Sequence, residues 1–148
     1  MKTSKVLGYA LAGALTVGAV PVFAAETAKA PAADTKAEEK EPFGRLTVDE
    51  VEKGIASKEL YLFDNNSKDR WQKGHVPGAR WVDFTALTEK DLPADKAAKL
   101  VFYCGSEKCM ACHGGAKAAL KLGYKNVFIM PAGIAGWEKA GKKLEPGT

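Results

Sequence analysis

Cysteine and histidine are scarce in this chain, whose 148 residues include three cysteines and two histidines. All three cysteines lie between residues 104 and 112. They therefore cannot form the widely spaced disulfide framework that stabilises many small exported domains. An odd number also leaves at least one thiol without a partner inside the molecule. Three thiols packed this closely indicate a chemical site rather than a structural scaffold.

The chain also lacks a dense patch of basic residues. Its 22 lysines and arginines stand against 18 acidic residues, which gives a net charge of +4, and the basic residues are spread along the sequence. A nucleic-acid-binding surface needs clustered cations with aromatic residues among them, so no nucleic-acid partner is expected. The small positive surplus implies at most a mild attraction for small anions.

Long apolar runs are absent except for residues 6–25, which carry no charge. Two lysines precede this run, and Val22 and Ala24 occupy the minus-three and minus-one positions of a signal-peptidase site. Residues 1–24 are therefore predicted to be a signal peptide, and the mature protein to be periplasmic or secreted without membrane contact. The alternative is an uncleaved anchor, because the run is long enough to cross a bilayer core of about 30 Å.

Large apolar residues are missing between the predicted cleavage site and Phe43. The stretch AETAKAPAADTKAEEKEP contains small, charged and helix-breaking residues only. Such a composition cannot bury enough apolar surface to offset the entropy lost on ordering. Residues 25–44 are predicted to be a disordered linker, and residues 45–148 to form one domain of about a hundred residues with a single core.

Helix and strand signals alternate through this domain. Thr47 followed by Glu50 is a capping-box pattern, so a helix is predicted over 48–56. Strands are predicted over 60–64, 80–84, 99–104 and 126–130, with further helices from the Asn65–Ser67 caps to Gly74, over 116–123 and over 133–141. Short apolar strands that alternate with helices predict an α/β fold, in which helices cover both faces of a parallel sheet.

Cys104 stands at the end of the predicted strand KLVFYC, the position where parallel α/β sheets place their ligands. A tight loop and then a helix follow it. Backbone N–H groups of such a loop and the helix N-terminus stabilise negative charge, so the pKa of the thiol is expected to fall. The resulting thiolate would be a nucleophile, and the same loop would suit the anionic outer sulfur of a persulfide.

Cys109, Cys112 and His113 spell C-x-x-C-H, the sequence to which haem c is covalently attached. This motif allows an electron-transfer protein with His113 as an iron ligand. Alternatively, the two cysteines attack a Cys104 persulfide or form a disulfide with Cys104, which makes a thiol redox switch with a redox protein partner. No metal is expected, because adjacent Cys112 and His113 are poorly placed for a tetrahedral zinc site.

Two groups of motifs surround the predicted site. The first contains Asp64, Asn66, Trp71 and GHVPGA, and the second contains LVFYC, LGYKNV and AGIAGWEKAG. In this order and spacing, residues 46–144 resemble a single-domain rhodanese, a sulfurtransferase. The resemblance implies a three-layer rhodanese-like fold, in which helices lie on both faces of a central, mostly parallel sheet.

The resemblance also implies a reaction in two steps. Cys104 takes a sulfane sulfur from an anionic, thiosulfate-like donor as a persulfide, and a thiol or cyanide acceptor then removes it. No cofactor is expected for this chemistry. The implied substrate-binding loop is Gly105, Ser106, Glu107, Lys108 and Cys109, and the supporting residues are Asp64, Asn66 and His75. Asp64 is expected to be a buried hydrogen-bond acceptor and His75 to anchor a turn.

The chain departs from the rhodanese pattern at two points. Asn66 stands where the family usually has arginine, so an ion pair that braces the site is either missing or replaced by neutral hydrogen bonds. The loop after Cys104 is longer than usual and contains EKCMAC, in which Lys108 is the only cation. A related dual-specificity phosphatase would need arginine at position 110, which is methionine. The sequence therefore favours sulfur transfer and leaves the natural donor and acceptor open.

Overall fold

The structure is a computed structural model, and it describes residues 41–147. The predicted signal peptide and most of the predicted linker lie outside the described residues. None of the described helices is long and apolar enough to span a membrane.

Strands and helices alternate along the described residues, as the sequence predicts. The strands are β1 (Gly44–Arg45), β2 (Tyr61–Asp64), β3 (Arg80–Trp81), β4 (Lys99–Tyr103) and β5 (Asn126–Met130). The helices are α1 (Val48–Ala56), α2 (Lys68–Lys73), α3 (Ala111–Lys121) and α4 (Gly133–Lys139), with a 3-10 turn at Glu89–Asp91.

Local capping signals account for the starts of α1 and α2. The Thr47 hydroxyl accepts a hydrogen bond from the Glu50 N–H at 3.3 Å, and the Glu50 carboxylate accepts one from the Thr47 N–H at 2.8 Å. This is the predicted capping box, and α1 has the predicted bounds. Ser67 caps α2 in a similar way by accepting a hydrogen bond from the Arg70 N–H.

Several boundaries differ from the predictions. β3 is shorter than the predicted strand over 80–84, because the Asp83 carboxylate accepts a hydrogen bond from the Thr85 N–H and turns the chain. α3 begins at Ala111, ahead of the predicted helix over 116–123. The domain also extends beyond the predicted boundary at residue 45, since Gly44 pairs with Phe128 in the sheet and the Phe43 side chain is buried.

All paired strands of the sheet are parallel, in the order β1-β5-β4-β2-β3. β4 is therefore central, and the predicted parallel sheet with covering helices is confirmed. Side chains alternate along β4, so Leu100 and Phe102 pack into one core with α3, while Val101 and Tyr103 pack into the other with α1 and α4. Burial on both faces explains why the strand sequence is continuously apolar.

Candidate active site

Cys104 lies immediately after the central strand β4, and only 1% of its surface is exposed. The loop 105–110 separates it from the start of α3. Its side chain belongs to the core on the α3 side of the sheet, whereas the preceding Tyr103 belongs to the opposite core. Side chains thus continue to alternate between the two faces of the sheet for one residue beyond β4, and this alternation turns the Cys104 thiol toward α3.

The start of α4 holds the backbone of this loop. The Ile134 N–H donates to the Cys104 carbonyl at 2.9 Å, and the Ala135 N–H donates to the Gly105 carbonyl at 3.0 Å. Gly133 makes this approach possible, because its φ is +58° and a Cβ there would collide with the Cys104 carbonyl oxygen. The carbonyls that follow β4 are therefore paired with helix N–H groups that have no partner within α4.

The three sulfur-bearing side chains Cys104, Cys109 and Cys112 meet inside the loop, and we call them the thiol cluster. The Cys104 Sγ lies 3.4 Å from the Cys112 Sγ and 3.1 Å from the Cys109 carbonyl oxygen. Cys112 is as buried as Cys104, while Cys109 is partly exposed. The three thiols are free, and the fold brings together cysteines that the sequence separates by up to eight positions.

The pKa values of the three thiols in the cluster are shifted in different directions. Donation by the Cys104 S–H to Cys112, together with burial, raises the pKa of Cys104, and the same bond lowers the pKa of Cys112. Burial raises the pKa of Cys109. The pKa of Cys104 thus moves in the direction opposite to the one that the sequence predicts. The cause is the contact between the two sulfurs, because the neighbouring sulfur competes for the negative charge.

His113 extends the thiol cluster toward the N-terminal end of the described chain. Its Nδ1 lies 3.5 Å from the Cys112 Sγ, and its Nε2 lies 3.5 Å from a Glu41 carboxylate oxygen. The other Glu41 oxygen accepts a hydrogen bond from Arg45 at 3.2 Å. The imidazole packs edge-on against Phe43 with a centroid distance of 5.7 Å. The order thiol, imidazole and carboxylate is the one that activates nucleophilic cysteines elsewhere.

A second buried group, which we call the tyrosine network, lies on the other face of the sheet and contains Asp64, Tyr103 and the Val76 N–H. The Tyr103 hydroxyl donates to Asp64 at 2.6 Å and accepts from the Val76 N–H at 3.1 Å. The second Asp64 oxygen accepts from the Asn66 N–H at 2.7 Å. Burial raises the pKa of Asp64 and also that of Tyr103. The network ties the ends of β2 and β4 to the GHVPGA segment.

His75 occupies a separate position at the beginning of GHVPGA. Its Nδ1 lies 3.1 Å from the Trp71 carbonyl, its ring stacks on the Trp71 indole, and its Nε2 lies 3.3 Å from Glu145. Backbone hydrogen bonds between His75 and Glu145 run in both directions. These contacts anchor a turn and the C-terminal segment, which is the structural role expected from the sequence.

The outer side of the loop borders an open groove of about 460 Å³. The groove is lined by Ser106, Glu107, Lys108, Ala132, Ala135, Gly136 and Lys139. Lys108 and Lys139 both contribute to this lining, so the groove combines two cations with one carboxylate. Three of the predicted loop residues thus face it, although Cys104 itself points into the core.

Residues 47–140 match the family of rhodanese-like domains. The chain belongs to the rhodanese-like family. An uncharacterized Escherichia coli K12 protein, YibN, is 28% identical over 102 residues, which covers 67% of this chain and 68% of that protein.

Solved rhodanese structures resemble the fold at lower identity. Escherichia coli SseA, a 3-mercaptopyruvate sulfurtransferase, gives a TM-score of 0.60 at 19% identity and covers 72% of this chain and 51% of its own. The human single-domain sulfurtransferase TSTD1 gives a TM-score of 0.55 at 19% identity, over 64% of this chain and 95% of its own. At these identities, the likeness concerns the fold.

The rhodanese-like position usually held by arginine carries Asn66 here. Its carbonyl accepts from the Trp81 indole N–H at 2.8 Å, while its side-chain Nδ2 is buried and has no hydrogen-bond partner among the described residues. The Asn66 Oδ1 faces Gly105, 3.4 Å from where a Cβ would stand. The asparagine side chain therefore lies against the first residue of the loop through its oxygen.

Haem does not fit the C-x-x-C-H segment in this rhodanese-like fold. Cys112 is 1% exposed and His113 is 7% exposed, and Cys112 lies within the core beside α3. A macrocycle bonded to Cys112 with His113 on its iron would need space that core side chains occupy. Within residues 41–147, no group of three or more histidine, cysteine or acidic side chains is arranged to hold a metal ion.

Three residues that contribute to the site were not predicted from the sequence, namely Tyr103, Gly133 and Glu41. Tyr103 precedes the cysteine, and its surroundings in the sequence indicate only an apolar strand. Gly133 belongs to the motif AGIAGWEKAG, but its contact with the Cys104 backbone depends on α4 returning to β4. Glu41 carries no local signal at all, because the composition around it is that of a linker and it reaches His113 only through the paired strand β1.

Proposed function

We propose that this protein is a sulfurtransferase that carries a sulfane sulfur as a persulfide on Cys104. The observation that carries the proposal is the position of this thiol. It follows the central parallel strand of a rhodanese-like domain, and the start of α4 holds the backbone that bears it. Ligand sites of open parallel sheets lie at this edge.

An anionic, thiosulfate-like donor is the substrate class that the surroundings favour. Lys108 and Lys139 line the groove beside the loop and attract small anions. A thiol or cyanide then serves as the acceptor.

The reaction has two balanced steps. The Cys104 thiolate attacks the outer sulfur of thiosulfate, the bond between the two donor sulfurs breaks, and sulfite leaves with the electron pair. In the second step the acceptor attacks the outer sulfur of the persulfide, and the Cys104 thiolate is released. The Cys104 thiol gives up its proton before the first step, and the thiolate released in the second step can start the next cycle.

Replacement of the proposed nucleophile tests this function. Cys104→Ser should abolish thiosulfate:cyanide sulfurtransfer and should gain no sulfur atom in an intact-mass measurement after incubation with thiosulfate. The wild-type protein should gain one sulfur atom at early times under the same conditions. If Cys104→Ser kept full activity while Cys109→Ser lost it, the nucleophile would be Cys109.

We also propose that the mature protein acts in the periplasm or as a secreted protein, as residues 1–24 suggest. Full-length chain expressed in a bacterium with two membranes should yield a mature mass that begins at Ala25. Ala24→Asp should block the cut and leave the full-length mass. A wild-type protein that keeps residues 1–24 in a membrane fraction would instead indicate an anchor.

A further inference from the structure

The C-x-x-C-H segment is not used by the proposed transfer reaction, although the fold buries two of its residues beside the nucleophile. Cys112 and Cys104 are each 1% exposed, and their sulfurs are 3.4 Å apart. A disulfide requires this distance to shorten to about 2.05 Å, which small side-chain rotations can supply when the sulfurs already touch. We propose that Cys112 is the resolving thiol of the site and that it releases the sulfur carried by Cys104 as hydrosulfide.

This inference rests on the proposed function, since it needs a Cys104 persulfide. The Cys112 thiolate attacks the Cys104 Sγ, the bond between that sulfur and the outer sulfur breaks, and the outer sulfur leaves as hydrosulfide with the electron pair. The sulfane sulfur is reduced to sulfide while the two cysteines are oxidised to a disulfide. An external dithiol then reduces the Cys104–Cys112 disulfide by thiol–disulfide exchange and restores both thiols.

His113 is placed to accept the proton of Cys112. A Glu41 oxygen faces Nε2, so the N–H of the neutral imidazole belongs on Nε2 and the Nδ1 lone pair faces the Cys112 Sγ at 3.5 Å. Cys112 also lies in the first turn of α3, where helix N–H groups favour a thiolate. The nucleophile of the second step therefore has both a base and a positive helix terminus beside it.

The geometry selects Cys112 rather than Cys109 for this role. The Cys104 Sγ lies 3.4 Å from the Cys112 Sγ, whereas its contact with Cys109 at 3.1 Å is with the carbonyl oxygen, and Cys112 is buried while Cys109 is partly exposed. The pKa directions agree, because the Cys104 hydrogen bond lowers the pKa of Cys112 whereas burial raises that of Cys109. Cys109 also lacks the adjacent imidazole that Cys112 has in His113.

The decisive experiment follows a single turnover without acceptor. Fully reduced, full-length protein is freed of reductant and mixed with one equivalent of thiosulfate or inorganic polysulfide. Samples are quenched by alkylation at intervals. The intact mass of the protein and the amount of released sulfide are then measured. The wild type should gain one sulfur atom transiently. It should then release one equivalent of sulfide and end as a species that has lost two hydrogens and resists alkylation at Cys104 and Cys112.

Matched serine variants separate the two thiols. Cys112→Ser should hold the added sulfur and release no sulfide, and Cys112→Ala should do the same, whereas Cys109→Ser should still close the disulfide. Accumulation of the persulfide itself shows that the variant has folded around a competent Cys104. His113→Gln should slow disulfide closure at least tenfold, measured as the decay of the persulfide after it has formed.

Two failures can be told apart. A wild-type protein that keeps a stable persulfide and forms no disulfide would overturn the role of Cys112 and leave the transfer function intact. A wild-type protein that takes up no sulfur from either donor would overturn both. Sulfide release from Cys112→Ser at the wild-type rate, or a persulfide trapped in Cys109→Ser, would also contradict the inference.

Discussion

Tyr103 and Cys104 are consecutive residues on opposite faces of one strand end, and their surroundings differ in kind. Tyr103 lies in the tyrosine network, where oxygen and nitrogen atoms pair at 2.6 to 3.1 Å. Cys104 lies in the thiol cluster, where its contacts are 3.1 and 3.4 Å and involve sulfur, a weak donor and acceptor. The Tyr103 hydroxyl and the Asp64 carboxylate are hydrogen-bonded, while the thiol cluster keeps groups that can exchange protons and bonds.

The two faces of the sheet therefore have different roles. Strong hydrogen bonds to a buried carboxylate fix the end of β4, which gives the following residue a defined position. The thiol cluster can then change its bonding without releasing the strand. Substitutions on the Tyr103 face are accordingly expected to change stability first, and those on the Cys104 face to change chemistry first.

The largest loss of stability is expected at Gly133, because this residue packs against the backbone of the loop that follows β4. Gly133→Ala should destabilise the protein by about 2–5 kcal/mol, because it combines a left-handed φ with a collision against the Cys104–Ser106 backbone. Chemical denaturation measures the change. Sulfurtransfer should fall as well, since the loop would shift.

Gly123→Ala is the matched control for this substitution. Gly123 has a φ of +89°, and no atom lies within 4 Å of the position that an added Cβ would occupy, so only the conformational cost of about 1–2 kcal/mol applies. Equal destabilisation by the two variants would mean that the close approach of α4 to the loop contributes nothing.

Tyr103→Phe should break the tyrosine network and leave the thiol cluster in place. The loss of one hydroxyl deprives a buried carboxylate of a donor and the Val76 N–H of its acceptor, which should cost about 1–3 kcal/mol. Thermal unfolding measures the effect. The exposed Tyr61 provides the comparison, since Tyr61→Phe should change stability by no more than about 0.5 kcal/mol.

Titration of the Asp64 carboxyl should change the free energy of unfolding with pH. Burial raises the pKa of this carboxyl in the folded state, so between its unfolded and folded pKa values the folded protein binds more protons. The contribution of Asp64 to stability is therefore complete below the unfolded pKa and is lost as the pH rises through the folded pKa. Denaturation of the wild type and Asp64→Asn across the acidic range should show this slope in the wild type alone.

The smallest effect on stability is expected at Glu41, on the thiol face. Glu41→Gln removes a partly exposed charge next to His113 and should cost less than about 1 kcal/mol. The variant should nevertheless slow closure of the Cys104–Cys112 disulfide, because it weakens the orientation of the imidazole. Glu138→Gln, which removes a surface partner of Arg70, is the control that should leave closure unchanged.

Signals contained within short segments predicted much of this fold. The capping box at Thr47 and Glu50 sets the start of α1, and the continuous apolar run before Cys104 marks a strand buried on both faces. Both features depend on contacts between neighbours in sequence or on burial alone. The position of Cys104 at a strand end followed from the same signals.

Other features required contacts between distant segments. β1 contains two residues and carries little periodicity, so its pairing with β5 was invisible in the sequence. The extent of β3 depended on the turn at Asp83. Glu41 could not be connected with His113, because their contact depends on β1 docking beside β5.

The order of residues along the chain establishes that one strand ends in a cysteine and that two more cysteines and a histidine follow within a few residues. Packing of separate elements establishes which sulfur faces which. α3 begins early enough to turn Cys112 inward, α4 holds the Cys104 backbone through Gly133, and β1 brings Glu41 to His113. Composition and local spacing are properties of the chain, whereas a 3.4 Å contact between sulfurs exists only when separate elements pack together.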